Sequence, residues 1–315
     1  MEINIVEYLS FVINNKYERL EKVVLCGNEY ARLFLKKMAL LFHRKKFISV
    51  ETVCWNDREF LRENIFETII EYCKDAENVL IIYIREPIED YFKLLRQKNS
   101  SAEIREKYSS WYRYLKLFKK EVGCVCEIEY PSNIRSRMVS GVVTTLHEDF
   151  VKACTCDYNR MYIDVIQKLK LFNSIKVITV LFNDANRLSF STVELQKPSS
   201  DMLDFRKEGI VIPFGEIYWG LEYISTMEGV FSSRKYGAIH IASGIVTKIQ
   251  SAKLRDYIGG KVIEFAIGIN KGANPDSTDS IAEKAFGTVH IGIIKEGQSY
   301  NDHIDIISVG YSLKK

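Results

Sequence analysis

Hydrophobic and polar positions change their rhythm about halfway along the chain. Val23-Val-Leu-Cys-Gly27 is a short apolar run that predicts a buried strand. Asn28 then stands at a helix N-cap position, and Tyr30, Leu33, Phe34, Met38 and Leu41 recur at helical spacing. Strand patterns over 47–53, 78–84 and 124–128 alternate with helical ones over 58–72, 88–95, 102–120, 135–153 and 159–171. Such alternation predicts a parallel sheet with helices on its faces.

Past residue 173 the helical period nearly vanishes. Fourteen of the 17 glycines lie beyond residue 208. Strand patterns at 175–182, 209–212, 237–241, 245–249, 261–268, 287–294 and 304–309 are separated by Gly, Ser, Asn and Asp turns, with one short helix over 251–257. The expected architecture is a Rossmann-like α/β domain over 1–173, then a mostly antiparallel, barrel-like β domain over 174–315. The first strand ends at Gly27, but Cys26-Gly27-Asn28-Glu29 is not the G-x-G-x-x-G of a dinucleotide site. The α/β half is read instead as a substrate wall or a dimerisation platform.

A length of 315 residues fits two domains, and 47% hydrophobic with 27% charged residues is ordinary for a globular protein. A net charge of +3 is too small to point to nucleic acid or to an electrostatic membrane partner. No apolar run reaches the roughly 18 residues of a spanning helix, and the first residues lack a signal-peptide pattern, so a cytoplasmic location is expected. Cys26, Cys54 and Cys73 stand alone, while Cys124/Cys126 and Cys154/Cys156 form C-x-C pairs. An odd count without a framework predicts free thiols.

Against this background one window stands out. Glu283-Lys-Ala-Phe-Gly-Thr-Val-His290, followed by His303-Ile-Asp305, holds two of the chain's five histidines. In a strand, His303 and Asp305 share one face, and a neighbouring strand could bring His290 beside them. Imidazoles and a carboxylate converging from adjacent strands are how a divalent transition metal is held. Glu264 falls inside the apolar strand pattern of 261–268, where burying a charge is costly without a partner or metal. Glu216 follows a strand and a turn. Taken singly, Glu264 is expected on a solvated face and Glu216 in solvent. Taken with His290, His303 and Asp305, they form an oxygen and nitrogen ligand set for one or two divalent ions.

From about residue 175 onward the sequence resembles the thermophilic metalloaminopeptidase family, the aminopeptidase T and aminopeptidase S type. The matching segments run in family order: Asn183-Asp-Ala-Asn-Arg-Leu188 as a turn, Pro213-Phe-Gly-Glu216, Glu264-Phe-Ala-Ile-Gly268, the Glu283–His290 segment and His303-Ile-Asp305. The resemblance implies a two-metal aminopeptidase, with zinc, cobalt or manganese on Glu216, Glu264, His290, His303 and Asp305. It implies Glu283 as the catalytic base and Tyr300 as the family's tyrosine, although Tyr300 lies farther along than the family spacing. A small peptide or amide substrate and a homodimer follow from the same resemblance.

Twelve residues separate His290 from His303, a shorter gap than in the active aminopeptidases of this type. Two other readings therefore stand beside the hydrolase. The same fold includes a ring-cleaving dioxygenase acting on a dihydroxypyridine with one Fe(II), whose triad would match His290, His303 and Asp305. The third is a non-catalytic relative repurposed as a binding protein in a biosynthetic pathway.

Overall fold

A computed structural model describes residues 21–28, 31–44, 49–55, 65–73, 79–84, 125–128, 143–204, 210–220, 222–297 and 303–314. The helices expected at 88–95 and 102–120 lie outside these. Two compact units are present: Met1–Thr155 with Phe205–Pro213, and Cys156–Asp204 with Phe214–Lys315.

In the first unit, β1 (Lys22–Asn28), β2 (Ser49–Trp55), β3 (Val79–Ile84), β4 (Val125–Ile128) and β8 (Ile210–Ile212) form one sheet. Every pairing is parallel, and the order is β2-β1-β3-β4-β8. Helices Arg32–Arg44 and Ile65–Cys73 supply the crossovers that parallel strands require. Val23, Val24 and Leu25 are all buried, as expected of a strand covered on both faces.

Counted within this sheet, the order is 2-1-3-4-5, the flavodoxin-type arrangement. The Rossmann order 3-2-1-4-5-6 is not seen among the described strands, so the Rossmann-like expectation is not confirmed. Segment 209–212, expected among the antiparallel strands, instead supplies the fifth parallel strand. An unalternating Ile-Val-Ile run suits a buried parallel strand equally well.

The second unit opens with helix Tyr158–Phe172, capped by the Asp157 carboxylate, which accepts from the Arg160 N–H at 3.0 Å. An eleven-stranded sheet follows. Its members are β5 (Val177–Phe182), β6 (Arg187–Ser191), β7 (Ser199–Ser200), β9 (Glu216–Gly220), β10 (Glu228–Ser233), β11 (Gly237–Ala242), β12 (Ile245–Ile249), β13 (Lys261–Gly268), β14 (Thr288–Ile294), β15 (Ile304–Val309) and β16 (Tyr311–Lys314). The main path runs β15-β14-β13-β12-β11-β10-β6-β5-β16, with β9 joined to β13 and β7 to β9.

This sheet is large and antiparallel, but it is not the expected barrel. β15 and β16 stand at opposite ends of the path although only Gly310, at φ 75°, separates them in sequence. No ladder links the two ends. Ser233 on β10 meets β15 through its hydroxyl, which donates to the Ile307 carbonyl at 3.0 Å.

Period two divides β9, β13 and β14 into two chemistries. Ile217, Trp219, Phe265, Ile267, Val289, Ile291 and Ile293 point one way and are buried. Trp219 meets Phe172 of the helix at 5.1 Å between ring centroids and Phe265 at 6.0 Å, while Phe190 of β6 meets Phe265 at 4.9 Å. Edge-on and tilted rings at these separations are favourable aromatic packing. The alternate residues face the other way: Glu216, Tyr218 and Gly220; Glu264, Ala266 and Gly268; Thr288, His290 and Gly292.

Candidate metal centre

The strand ladders fix how these alternate residues line up. Glu264 lies between Gly220 on β9 and Gly292 on β14, and Gly292 in turn pairs with Asp305 on β15. Ala266 pairs with His290, and Gly268 with Glu216. Gly220, Ala266, Gly268 and Gly292 thus leave room beside the acidic and imidazole positions, a bowl whose face also carries Tyr218. The fit is close: a Cβ added at Gly292 would stand 2.9 Å from Glu264 Cβ and 3.0 Å from His303 Cδ2. Gly292→Ala is expected to fold, as judged by circular dichroism. It should weaken divalent-ion binding by about 10- to 100-fold, the usual effect of disturbing the shell around metal ligands. Unchanged affinity in a zinc titration would show that the Gly292 side of the bowl does not shape the site.

Within the bowl Glu264 presents its two oxygens to two different imidazoles. Oε1 lies 3.6 Å from His290 Nε2, and Oε2 lies 3.3 Å from His303 Nε2. His290 Nε2 is also 3.7 Å from Glu216 Oε2, and His303 Nε2 is 3.4 Å from Asp305 Oδ1. Three groups of side chains converge closely enough to share an ion: Glu216, Glu264 and His290; Glu264, His303 and Asp305; and Glu283, His290 and Asp305. Zinc holds nitrogen and oxygen at about 2.0–2.2 Å, so neighbouring ligands of a tetrahedral ion lie about 3.3–3.6 Å apart. The separations here sit at or next to that range. Glu216 Oε2 is buried without a hydrogen-bond partner among the described residues. The donor set and this orphaned oxygen fit a divalent cation.

All five residues expected as ligands are therefore brought together, and Glu283, expected as the base, stands with them. Tyr300 lies outside the described residues. Glu264 and Glu216 are only 7% and 8% exposed, against the solvated positions expected of each alone. Glu264 is buried because β13 has neighbours on both sides. Glu216 begins a strand that the turn signals of Pro213-Phe-Gly had concealed.

Two residues of the site had no role assigned from sequence. Lys284, 6% exposed, places its ammonium 2.5 Å from Glu216 Oε1, 3.1 Å from Glu283 Oε1 and 3.8 Å from Asp201 Oδ2. Its one signal is a place inside the Glu283–His290 segment. Asp201 accepts from the Gly215 N–H at 2.8 Å and the Glu216 N–H at 3.2 Å, while the Ser200 hydroxyl donates to the Glu216 carbonyl at 2.7 Å. These bonds fix the backbone that aims Glu216. A buried amide, Asn270, ties the same segment to the Lys284 turn. Its side-chain N–H donates to the Phe214 carbonyl at 2.7 Å, and its backbone N–H to the Lys284 carbonyl at 2.8 Å. The Thr288 hydroxyl closes that turn, donating to the Ala285 carbonyl at 2.7 Å.

Five carboxylates (Asp201, Glu216, Glu264, Glu283 and Asp305) face one ammonium, Lys284. With neutral imidazoles the formal charge is −5 + 1 = −4. The acids respond as buried acids do. Burial pushes Glu283 up to about 8, with Asp305 and Glu216 adding to the shift and Lys284 opposing it. Burial likewise raises Asp201 to about 7, Lys284 opposing and Glu216 adding. His290 is raised to about 9: burial disfavours its charge, but its bond to Glu264 and the nearby carboxylates outweigh that. Burial also works against the Asp305 carboxylate, yet the bond from His303 and the charge of His290 hold it below its usual range. The Lys284 ammonium loses hydration, and Glu216, Glu283 and Asp201 more than compensate, lifting it well above the ordinary lysine range. Without a metal, protons supply the positive charge that this cluster lacks.

Elsewhere the chain offers less chemistry. The six described cysteines are free, as expected. Among the described residues no helix is long and apolar enough to cross a membrane.

No family model and no curated protein sequence matches the chain. Solved structures do match. Wild-type AmpT from Thermus thermophilus, an aminopeptidase T, aligns with a TM-score of 0.70 at 11% identity, covering 99% of this chain and 94% of its own. A 2,5-dihydroxypyridine dioxygenase from Pseudomonas putida KT2440 aligns with a TM-score of 0.60 at 10% identity, covering 100% and 94%. Both likenesses span the whole chain, and they share an architecture rather than a sequence. The chain has an aminopeptidase T-like fold.

Proposed function

We propose that this protein is a metal-dependent hydrolase of aminopeptidase type, removing the N-terminal residue from a peptide or related amide. The observation that carries the reading is the division of Glu264: one oxygen faces His290 and Glu216, the other faces His303 and Asp305. Two ligand groups sharing one carboxylate are the protein side of a two-ion centre. A pair of divalent ions, when bound, polarises a scissile carbonyl and lowers the pKa of a water. Zinc, cobalt and manganese all suit the donor types.

The chain's own residues then have separate tasks. Glu216, Glu264, His290, His303 and Asp305 hold the ions. Glu283, aimed at the same space as His290 and Asp305, accepts the proton of the attacking water and passes it to the leaving amine. Lys284 keeps the Glu283 carboxylate beside the ligands instead of letting it swing away from them. A free amino terminus would offer one ion a further nitrogen ligand, which favours an aminopeptidase over other hydrolases.

The iron dioxygenase reading needs His290, His303 and Asp305 around a single point. Here the two imidazoles fall in different groups, each with two carboxylates, which favours the hydrolase.

The test compares aminoacyl p-nitroanilides with their N-acetylated forms, in the presence of zinc, cobalt or manganese. Turnover of the free-amine substrates is expected, with acetylation lowering kcat/KM by about 100-fold or more through loss of the free amine. Equal turnover of both forms would rule out an exopeptidase. No turnover with any metal would rule out the hydrolase.

A further inference from the structure

Glu216 is the first residue of β9, and the strand beside it stops just short of it. β7 pairs Ser199 with Tyr218 and Ser200 with Ile217, and the chain then turns into the short helix Asp201–Asp204. Side chains take over where that ladder ends. Asp201 Oδ2 accepts from the Gly215 N–H at 2.8 Å and its Oδ1 from the Glu216 N–H at 3.2 Å, while the Ser200 hydroxyl donates to the Glu216 carbonyl at 2.7 Å. The other edge is held as well, with the Gly215 carbonyl accepting from the Ile269 N–H and the Phe214 carbonyl from Asn270 Nδ2, both at 2.7 Å. Satisfying two N–H groups does not by itself require a charge, and a carboxylate whose side chain is only 14% exposed is costly to bury. Both of its oxygens accept, however, and an amide would turn its NH2 toward one of the two N–H groups. At the far end of the Glu216 side chain, Oε1 is held by the Lys284 ammonium at 2.5 Å. Oε2, 3.7 Å from His290 Nε2, is buried without a hydrogen-bond partner among the described residues. The oxygen left over is the one that faces the centre.

We propose that Ser200 and Asp201 are positioning residues of the centre: they touch no ion themselves, and they set its affinity through Glu216 by holding the backbone that aims Oε2. This rests on the reading of Glu216 as an ion ligand. A ligand fixed before the ion arrives loses little freedom when it binds, so loosening its support costs affinity although every ligand is still present. Asp201 belongs to none of the groups of side chains that converge closely enough to share an ion. Its route to the centre is the Glu216 backbone, and the ion pair with Lys284 at 3.8 Å is the longest of the three that this ammonium makes.

A double-mutant cycle on cobalt binding tests this, by calorimetric titration of the metal-free full chain, with folding checked by circular dichroism. Asp201→Asn is expected to weaken cobalt binding by about 10- to 100-fold, the usual cost of losing a partner of a metal ligand. Ser200→Ala should weaken it by about 3- to 10-fold, the usual worth of one neutral hydrogen bond. In the Glu216→Gln background neither change should have any further effect. An effect carried by the Asp201 charge, or through Lys284 to Glu283 and Asp305, would persist there, and so would a general loosening of the fold. The visible spectrum of bound cobalt, which reads its ligand geometry, should shift in Asp201→Asn and be the same in Glu216→Gln and the double variant. If Asp201→Asn does not fold, the Ser200→Ala arm decides, because the same bracket predicts the same pattern at smaller size. Unchanged cobalt affinity in the folded variants, or an equal loss in both backgrounds, would overturn the positioning role while leaving the metal centre standing. Unchanged affinity in Glu216→Gln itself would remove Glu216 from the ligands and overturn the proposal with it. Absence of cobalt binding to wild type would overturn the metal reading as well.

Discussion

Replacing Glu264 by Gln is expected to abolish ion binding and hydrolysis together, the largest effect of any single change in this chain. Glu264 is the residue common to the two proposed ligand groups, with Oε1 directed at one imidazole and Oε2 at the other. An amide keeps the shape yet loses the charge, and its NH2 end presents hydrogens where one ion would be. Bound metal should fall from about two ions per chain to fewer than one, and turnover should fall with it. Elemental analysis of dialysed protein measures the first, and the free-amine substrates the second. The side chain is buried between two glycines whose space it fills, and Gln has nearly the same volume, so the variant should remain folded. If Glu264→Gln keeps both ions, the shared carboxylate does not organise the centre and the two-ion reading is lost.

Glu283→Gln should produce the opposite dissociation of effects. The ions remain, because Glu283 belongs to neither of the two groups that share Glu264. The proton acceptor is gone, however, and kcat should fall by about 10²- to 10⁴-fold, the usual contribution of a positioned base. KM should change little, since the amide still fills the same space. Loss of metal in Glu283→Gln would instead make it a ligand, in line with its position near His290 and Asp305. A variant with near-normal kcat would remove Glu283 from the chemistry altogether. Ion content and kcat measured on the same preparation separate the three outcomes.

Much of this centre could be read along the chain because period-two spacing was enough. His303 and Asp305 must share a face if their segment is a strand, and His290 lies in the next strand by sequence. The alternating α/β first half was legible from apolar runs such as Val23–Cys26 and Val79–Ile82, set between helices that keep their period. What stayed hidden was set by contacts between distant segments. Nothing local in Lys284 distinguishes a buried ammonium from a solvated one, because its three carboxylate partners come from residues 201, 216 and 283. Asp201 acts through the backbone N–H groups of residues 14 and 15 positions away, which no spacing rule encodes. The strand Arg187–Ser191 begins inside the segment whose composition predicts a turn, since Asn183-Asp-Ala-Asn186 supplies turn residues just before it. The turn is real, with Ala185 at φ 66° and the Phe182 N–H on the Asn186 carbonyl at 3.0 Å, but it ends earlier than its composition implies. The barrel expectation failed for another reason. Strand count and spacing do not determine whether the first and last strands of a curled sheet meet.

The alternating faces of β9, β13 and β14 have a consequence for how this chain can change. Loops can lengthen or shorten at little cost to either face, but the strands cannot lose or gain one residue. Deleting Ala266, where β13 pairs regularly, with Ile267 and Gly268 held in register, would turn Glu264 into the aromatic core beside Trp219 and would expose Phe265 in the bowl. Such a deletion exchanges solvent chemistry for oil across the whole strand instead of damaging one position. The reading frame of side chains along these strands is thus a heritable constraint of its own, and sequence drift can proceed almost anywhere provided that this parity is kept.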